Sequence, residues 1–350
     1  MYTKKPYGTP LIQKQLMYMN SIGPKNILVT GAAGFVGSYL IAELSRQYPK
    51  AKIHGTLRPK ESTDNLKDIE AAYELHELDI TDAPSVYSLI EAIHPDSIFH
   101  LAAQSYVRTS WESPQATITT NILGEANLLE AVRLLKTKRY NPPIVLVCSS
   151  EEYGMVPKKS IPITEEAPLS PLSPYAVSKI GQDFLGFQYF KTYGLNTIRL
   201  RVFNHTGPKR PTAFGDSHVA HEIALIEAGL RDAIITYRDL TAIRDYSDVR
   251  DIVKAYVAAA KYCKPGDVYN VCSGKGTSIK QIYETLISLS NTKKKIRLKA
   301  DPSGPRPTDG GVIIGSNKKF TKRTSWNPEI DFLKQTLPDI LEYWRNQIAL

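Results

Sequence analysis

Cysteine is scarce. Three residues, Cys148, Cys263 and Cys272, are too few for a disulfide framework in 350 residues and point to a reduced, cytosolic chain. No apolar run is long enough to span a bilayer, which argues against a membrane protein. Residues 1–25 hold Lys4 and Lys5 but no sustained apolar stretch and no small-residue cleavage site; they read as an N-terminal extension, not a signal peptide. Internal repeats and low-complexity tracts are absent. The net charge is +9, yet the densest basic runs, Lys293-Lys294-Lys295 and Lys318-Lys319 with Lys322-Arg323, carry no interleaved aromatics. They read as solvated surface charge, and nucleic acid is not expected as a partner. No residue set is assigned to a metal.

What remains is an ordinary globular composition, 42% hydrophobic and 23% charged, with length for about two domains. From Asn26 short β-branched runs alternate with helical patterns. The runs are Ile27–Thr30, Ile53–Leu57, Glu74–Ile80, Ser97–Ala103, Ile144–Ser149 and Thr197–Phe203; the helical segments include Phe35–Gln47, Pro84–Ile93, Ile122–Leu135 and Pro174–Tyr193. This alternation predicts an α/β, Rossmann-type doubly wound parallel sheet over residues 26–203. Residues 204–350 change texture and predict mainly a smaller C-terminal substrate-binding domain, with segments near 245–275 returning to the sheet; Val268–Cys272 is one such run. Asp301–Gly311 reads as a long loop, and a helix over Phe332–Ile348 closes the chain.

The first strand runs directly into Gly31-Ala32-Ala33-Gly34-Phe35-Val36-Gly37 and a helix. Gly31 suits the tight turn, Gly34 a close approach to a pyrophosphate, and Gly37 helix–strand packing; the helix N-terminus offers free amides to the phosphates. A tight turn without ligand is the plainer alternative. At the end of the second strand, where an acid would hold the ribose of NAD(H), stands Arg58, which suits a 2′-phosphate. NADP(H) is therefore favoured over NAD(H).

Ser173-Pro174 marks a helix start, and Tyr175 and Lys179 share one helix face. An ammonium beside a phenol lowers its pKa, so this pair suits acid–base work on an alcohol–ketone couple. Such pairs are common by chance. Here Ser149 closes the fifth strand, followed by Ser150, Glu151 and Glu152. Ser149 suits a substrate oxygen and Glu151 a proton transfer; ordinary turn serines and solvated carboxylates are the plainer alternative.

Thr30–Gly37, His100-Leu101-Ala102-Ala103, Ser149 and Tyr175-x-x-x-Lys179 together resemble the extended short-chain dehydrogenase/reductase family over about Asn26 to Trp344. Ser149–Gly154, Phe203–Pro208, Arg244–Asp251 and Tyr269–Gly274 resemble its GDP-mannose-derived branch. The resemblance implies a GDP-linked hexose as ligand. It assigns cofactor contacts to Gly31, Ala33, Gly34, Phe35, Val36, Gly37, Arg58, Asp79, Ile80, Leu101, Ala102, Ala103, Tyr175 and Lys179. It assigns substrate contacts to Gln104, Ser150, Glu151, Asn204, Arg244, Arg306 and Asp309. Asp309 departs from the Glu usual there, and Lys209–Asp216 departs from the branch pattern.

Two reactions fit that scaffold. In one, a C4 ketone is reduced, with Tyr175 as proton donor. In the other, a GDP-hexose is dehydrated across C5 and C6, with Glu151 as base; dehydratases usually place Thr at the position of Ser149. A regulator that senses the dinucleotide without catalysis is a third reading, disfavoured because Ser149, Tyr175 and Lys179 are all present. Members of the family pair two helices per subunit, which implies a homodimer or homotetramer. The outer faces of Ile122–Leu135 and Pro174–Tyr193 would then present Leu123, Leu128, Phe184 and Phe187, the alternative being that these are core residues.

Overall fold

A computed structural model describes residues 23–304 and 310–349. Arg306, Asp309 and all but the last three residues of the N-terminal extension lie outside these. In chain order the strands are β1 (Asn26–Thr30), β2 (Lys52–Leu57), β3 (Tyr73–Glu77), β4 (Ser97–His100), β5 (Ile144–Ser149), β6 (Thr197–Val202), β7 (Asn204–Thr206), β8 (Ile234–Tyr237), β9 (Ile243–Asp248), β10 (Val268–Val271), β11 (Gly276–Ser278), β12 (Arg297–Ala300) and β13 (Val312–Ile313). The helices are α1 (Phe35–Gln47), α2 (Ala83–Ile93), α3 (Val107–Glu112), α4 (Pro114–Ile118), α5 (Gly124–Leu135), α6 (Pro174–Tyr193), α7 (Gly215–Glu227), α8 (Val249–Tyr262), α9 (Ile279–Ser288), α10 (Lys318–Thr324) and α11 (Leu337–Ala349).

Seven parallel strands form the central sheet in the order β10-β6-β5-β4-β1-β2-β3. Alternation along β1 sends Ile27 and Val29 to one face and Leu28 to the other. The first face packs on Leu40 and Ile41 of α1 and on Ile252 and Tyr256 of α8. The second packs on Ile90 of α2 and on Leu129 and Val132 of α5. Coverage on both faces explains why the strand runs are continuously apolar. A separate core joins Val219 and Ile223 of α7, Ile282 and Leu286 of α9, and Ile340 and Leu341 of α11. Beside it, β9 pairs with β11, β13 and β7, and β12 pairs with β8.

Four details differ from expectation. The strand expected over Ser97–Ala103 ends at His100, because the Thr30 hydroxyl captures the amides of Leu101 and Ala102. The run Glu74–Ile80 contributes Tyr73–Glu77 as the sheet's outer strand, and that strand is not buried on both faces. The helix expected from Ile122 starts at Gly124, after a wide π-type turn over Thr119–Leu123. Leu128 is not on an outer face: it shares the buried stripe of α5 with Leu129 and Val132.

Candidate active site

The carboxyl ends of β1, β4, β5 and β6 set the site, the usual ligand crevice of an open parallel sheet. After β1 the chain turns at Gly31, with φ of 69°. A Cβ there would lie 2.9 Å from the Ala102 amide nitrogen, and one on Gly37 would lie 2.3 Å from the Gly31 carbonyl oxygen. Both positions therefore require glycine. At the N-terminus of α1 no side chain caps the free amides, and the first turn carries no acid. This uncapped, cation-like end fits a dinucleotide pyrophosphate. Ala33 lies in the turn after β1, Phe35 and Val36 open α1, and Leu101, Ala102 and Ala103 follow β4.

The adenosine end is polar. Arg58 follows β2, largely exposed, its amide donating to Glu61 at 2.9 Å. Asp79 accepts from the Thr81 amide (2.9 Å) and hydroxyl (2.7 Å), which hold its carboxyl below the usual range. Ile80 is buried under Gly124.

Tyr175 sits in the first turn of α6. Ser173 caps that helix by accepting from the Ala176 amide (3.1 Å), and Pro174 presets the first turn. Ser149 ends β5 and accepts from the Glu151 amide at 3.1 Å, while Glu152 accepts the Ser149 amide at 2.8 Å. This capping box fixes the Ser149 hydroxyl, which is close enough to the Tyr175 phenol to pull its pKa down. Burial is the larger effect and pushes Tyr175 well above an ordinary phenol, aided by the negative charges of Glu151 and Glu152. Lys179, one turn along, donates to the Val147 carbonyl (2.8 Å) and lies 5.9 Å from the Tyr175 ring centre. Its own pKa is lowered by burial. The expected lowering of Tyr175 by Lys179 does not appear: desolvation dominates and the pKa of the phenol rises.

Glu152 corrects the sequence picture of a solvated loop. It is fully buried, 3.2 Å from Arg201 Nε, and burial beside Asp183 pushes its carboxyl up to about 8. Arg201 also binds Asp183 at 2.7 Å, and Asp183 pairs with Arg199. Ser150 is buried next to it in the turn. Gln104 is engaged locally: its side-chain amide donates to the Tyr106 carbonyl (3.1 Å) and Thr117 hydroxyl (2.9 Å). Asn204 of β7 pairs in register with Tyr246 of β9, which stacks on Phe332. Arg244 donates to the carbonyls of Gly310 (2.8 Å) and Gly311 (3.0 Å), bracing the backbone that leads into β13.

Three further residues belong here. Asn121, in the π-type turn, accepts from the Gln104 amide (2.8 Å) and donates to Ser178 (2.8 Å), tying the loop after β4 to α6. Its signal was a buried amide in an apolar helical pattern. Glu125 is wholly buried, hydrogen-bonded by Gln182 (2.8 Å) and within electrostatic reach of Lys179. Arg210 stacks over Phe214, 3.8 Å from its ring centre, lies near Phe35, and is felt electrostatically by Tyr175 and Tyr246. No sequence pattern announced Arg210.

The family model described as GDP-mannose 4,6 dehydratase matches residues 28–336. The chain belongs to that family. It is an enzyme of the extended short-chain dehydrogenase/reductase type, whose members here are oxidoreductases and lyases. Within it, the chain is 32% identical over 324 residues to a GDP-6-deoxy-D-mannose reductase of Pseudomonas aeruginosa, covering 93% of this chain and 98% of that one. A Pseudomonas aeruginosa structure solved with NADPH superposes with a TM-score of 0.77 at 30% identity, covering 92% of this chain and 98% of that one. A dTDP-glucose 4,6-dehydratase of Bacillus anthracis, solved with NAD, superposes with a TM-score of 0.78 at 25% identity, covering 93% and 98%.

Proposed function

We propose that this enzyme processes GDP-linked hexoses with a nicotinamide dinucleotide, and that it reduces the C4 ketone of GDP-4-keto-6-deoxy-D-mannose to GDP-D-rhamnose with NADPH. The observation that carries the reading is the convergence of Ser149, at the end of β5, with Tyr175 and Lys179, one turn apart on α6: Ser149 lowers the proton affinity of the phenol, and Lys179 lies 5.9 Å from its ring centre. The near full-length match to a GDP-6-deoxy-D-mannose reductase supports the substrate class. Arg58 at the end of β2, and the NADPH-bound relative, support NADPH over NADH.

When bound, the dinucleotide supplies the hydride chemistry. The chain's residues do the rest. Uncapped amides of α1 receive the pyrophosphate. Ser149 donates a hydrogen bond to the substrate carbonyl. Tyr175, kept protonated by its raised pKa, gives its proton to the developing alkoxide. Lys179 would set positive charge behind the phenol and would hold the nicotinamide ribose.

Dehydration of GDP-mannose is the second reading. It is favoured by Glu151, whose charge reaches Tyr175, and by the family model. There Glu151 would take the C5 proton. Parallel anaerobic incubations separate the two. Stoichiometric loss of NADPH with GDP-4-keto-6-deoxymannose, and a GDP-6-deoxyhexose product, supports the reductase. Conversion of GDP-mannose to a keto sugar without net loss of NADPH supports the dehydratase. Failure of both overturns the GDP-mannose assignment. The exposed Leu123, Val177, Phe184 and Phe187 support a homodimer paired through this helical face.

A further inference from the structure

We propose that His54, Glu74 and His76 bind one late first-row divalent cation, Zn²⁺ foremost, at the open edge of the central sheet. None of the three belongs to the crevice described above.

Strand register makes the cluster. His54 of β2 pairs with Glu74 of β3, and Thr56 pairs with His76. Side chains two apart on a strand share a face. Glu74 and His76 therefore stand on the face that His54 takes, while Gly55 and Leu75 face the opposite side, against Ala32 and Ile41.

The donor atoms are close. His54 Nδ1 lies 3.1 Å from His76 Nε2 and 3.5 Å from one Glu74 carboxylate oxygen. His76 Nε2 lies 3.8 Å from the other. Ligands held at about 2.0–2.1 Å around a tetrahedral Zn²⁺ stand about 3.3 Å apart. A hydrogen bond between the two rings accounts for the first distance alone. The carboxylate stands within ion-pair reach of both rings, beyond good hydrogen-bond range of either. A single ion among the three accounts for all of them.

Two imidazoles and one carboxylate form a donor set that favours zinc and its neighbours over magnesium or calcium. The Glu74 side chain is 65% exposed, so water has access to complete the coordination. A groove lined by His76, Ser85 and Ser88 gives a path of entry. The bound ion fastens β3, the outermost strand, to β2 and so closes an edge otherwise held by one ladder.

The test uses the full chain, stripped with EDTA and dialysed against metal-free buffer. Zn²⁺ is titrated by equilibrium dialysis, and Co²⁺ by visible absorption. We expect one equivalent per chain, tetrahedral Co²⁺ bands and a rise in Tm with Zn²⁺. His76→Asn and Glu74→Gln each weaken binding about tenfold or more, and the double variant abolishes it. Both residues are at the sheet edge, so the variants' Tm in EDTA reports whether they fold; His54, more buried, is left intact. GDP-sugar turnover in EDTA stays unchanged in both, which separates this site from the proposed reaction. Absence of stoichiometric binding at micromolar Zn²⁺, or binding that persists in the folded double variant, overturns the proposal.

Discussion

Thr30 and His100 hold the ends of β1 and β4 together: the Thr30 hydroxyl oxygen lies 2.8 Å from His100 Nδ1 and accepts the amides of Leu101 and Ala102, each at 3.1 Å. Because that oxygen accepts twice, its proton goes to Nδ1, and the His100 proton resides on Nε2. One hydroxyl thus shapes both loops of the dinucleotide crevice. Thr30→Val leaves two amides and a ring nitrogen unpaired in a buried place. Urea unfolding should show a loss of about 2–4 kcal/mol, at roughly 1–3 kcal/mol per orphaned group with partial relaxation. Fluorescence titration should show weaker NADPH binding. An unchanged midpoint and affinity would mean the hydroxyl is dispensable.

His100 also carries a pH signature. Burial pushes its pKa down to about 3, with Lys179 adding repulsion, whereas the unfolded chain has the ordinary value near 6.5. The folded value is depressed, so its stabilisation is present above about pH 6.5 and is lost as pH falls toward 3. Unfolding free energies at pH 7.5, 5.5 and 4.5 should decline by a few kcal/mol in total. His100→Gln should flatten that decline relative to wild type; parallel slopes would count against this account.

Local signals made much of this legible. Phe35–Gln47 and Pro174–Tyr193 match their observed helices because a glycine turn and a Ser-Pro cap are written in adjacent residues. The burial of Leu128 and Glu152 was not legible because it depends on distant partners. Leu128 meets the sheet and α2, and Glu152 meets Arg201 on β6 and Asp183 on α6. The proton affinity of Tyr175 was misjudged for the same reason: spacing reveals the neighbouring ammonium, but only packing reveals the desolvation.

Tyr175→Phe removes the proton donor while leaving the crevice. Turnover should fall by about 10²–10⁴-fold with NADPH affinity retained. Glu151→Gln divides the two reactions. Reduction should survive within about tenfold, whereas a dehydratase that relies on this carboxylate should lose about 10²-fold or more. Steady-state rates on both substrates decide.

Asp183 joins Arg199 and Arg201, all three buried. Asp183→Asn leaves two guanidinium groups without their shared anion, and about 3–5 kcal/mol of stability should be lost. An unfolding free energy within about 1 kcal/mol of wild type would show that Glu152 alone suffices as counter-charge.

Phe184 is 55% exposed and Leu123 47%, side chains that a folded surface rarely leaves bare together. Phe184→Asp with Leu123→Asp should convert a dimer to monomer in light scattering, with the helical circular dichroism intact. A wild-type chain that is monomeric at micromolar concentration would sink the pairing.

The chain does not finish one half before starting the other. It leaves the central sheet after β6, builds β7 to β9, returns to lay α8 and β10 against the sheet, leaves again, and sends Phe320 and Trp326 back into the sheet's core before α11. The two halves are sewn together by several passes of backbone instead of one tether. Neither half is a cassette: a chain cut at Phe203 would lose a sheet strand and bare the hydrophobic wall that α8 covers.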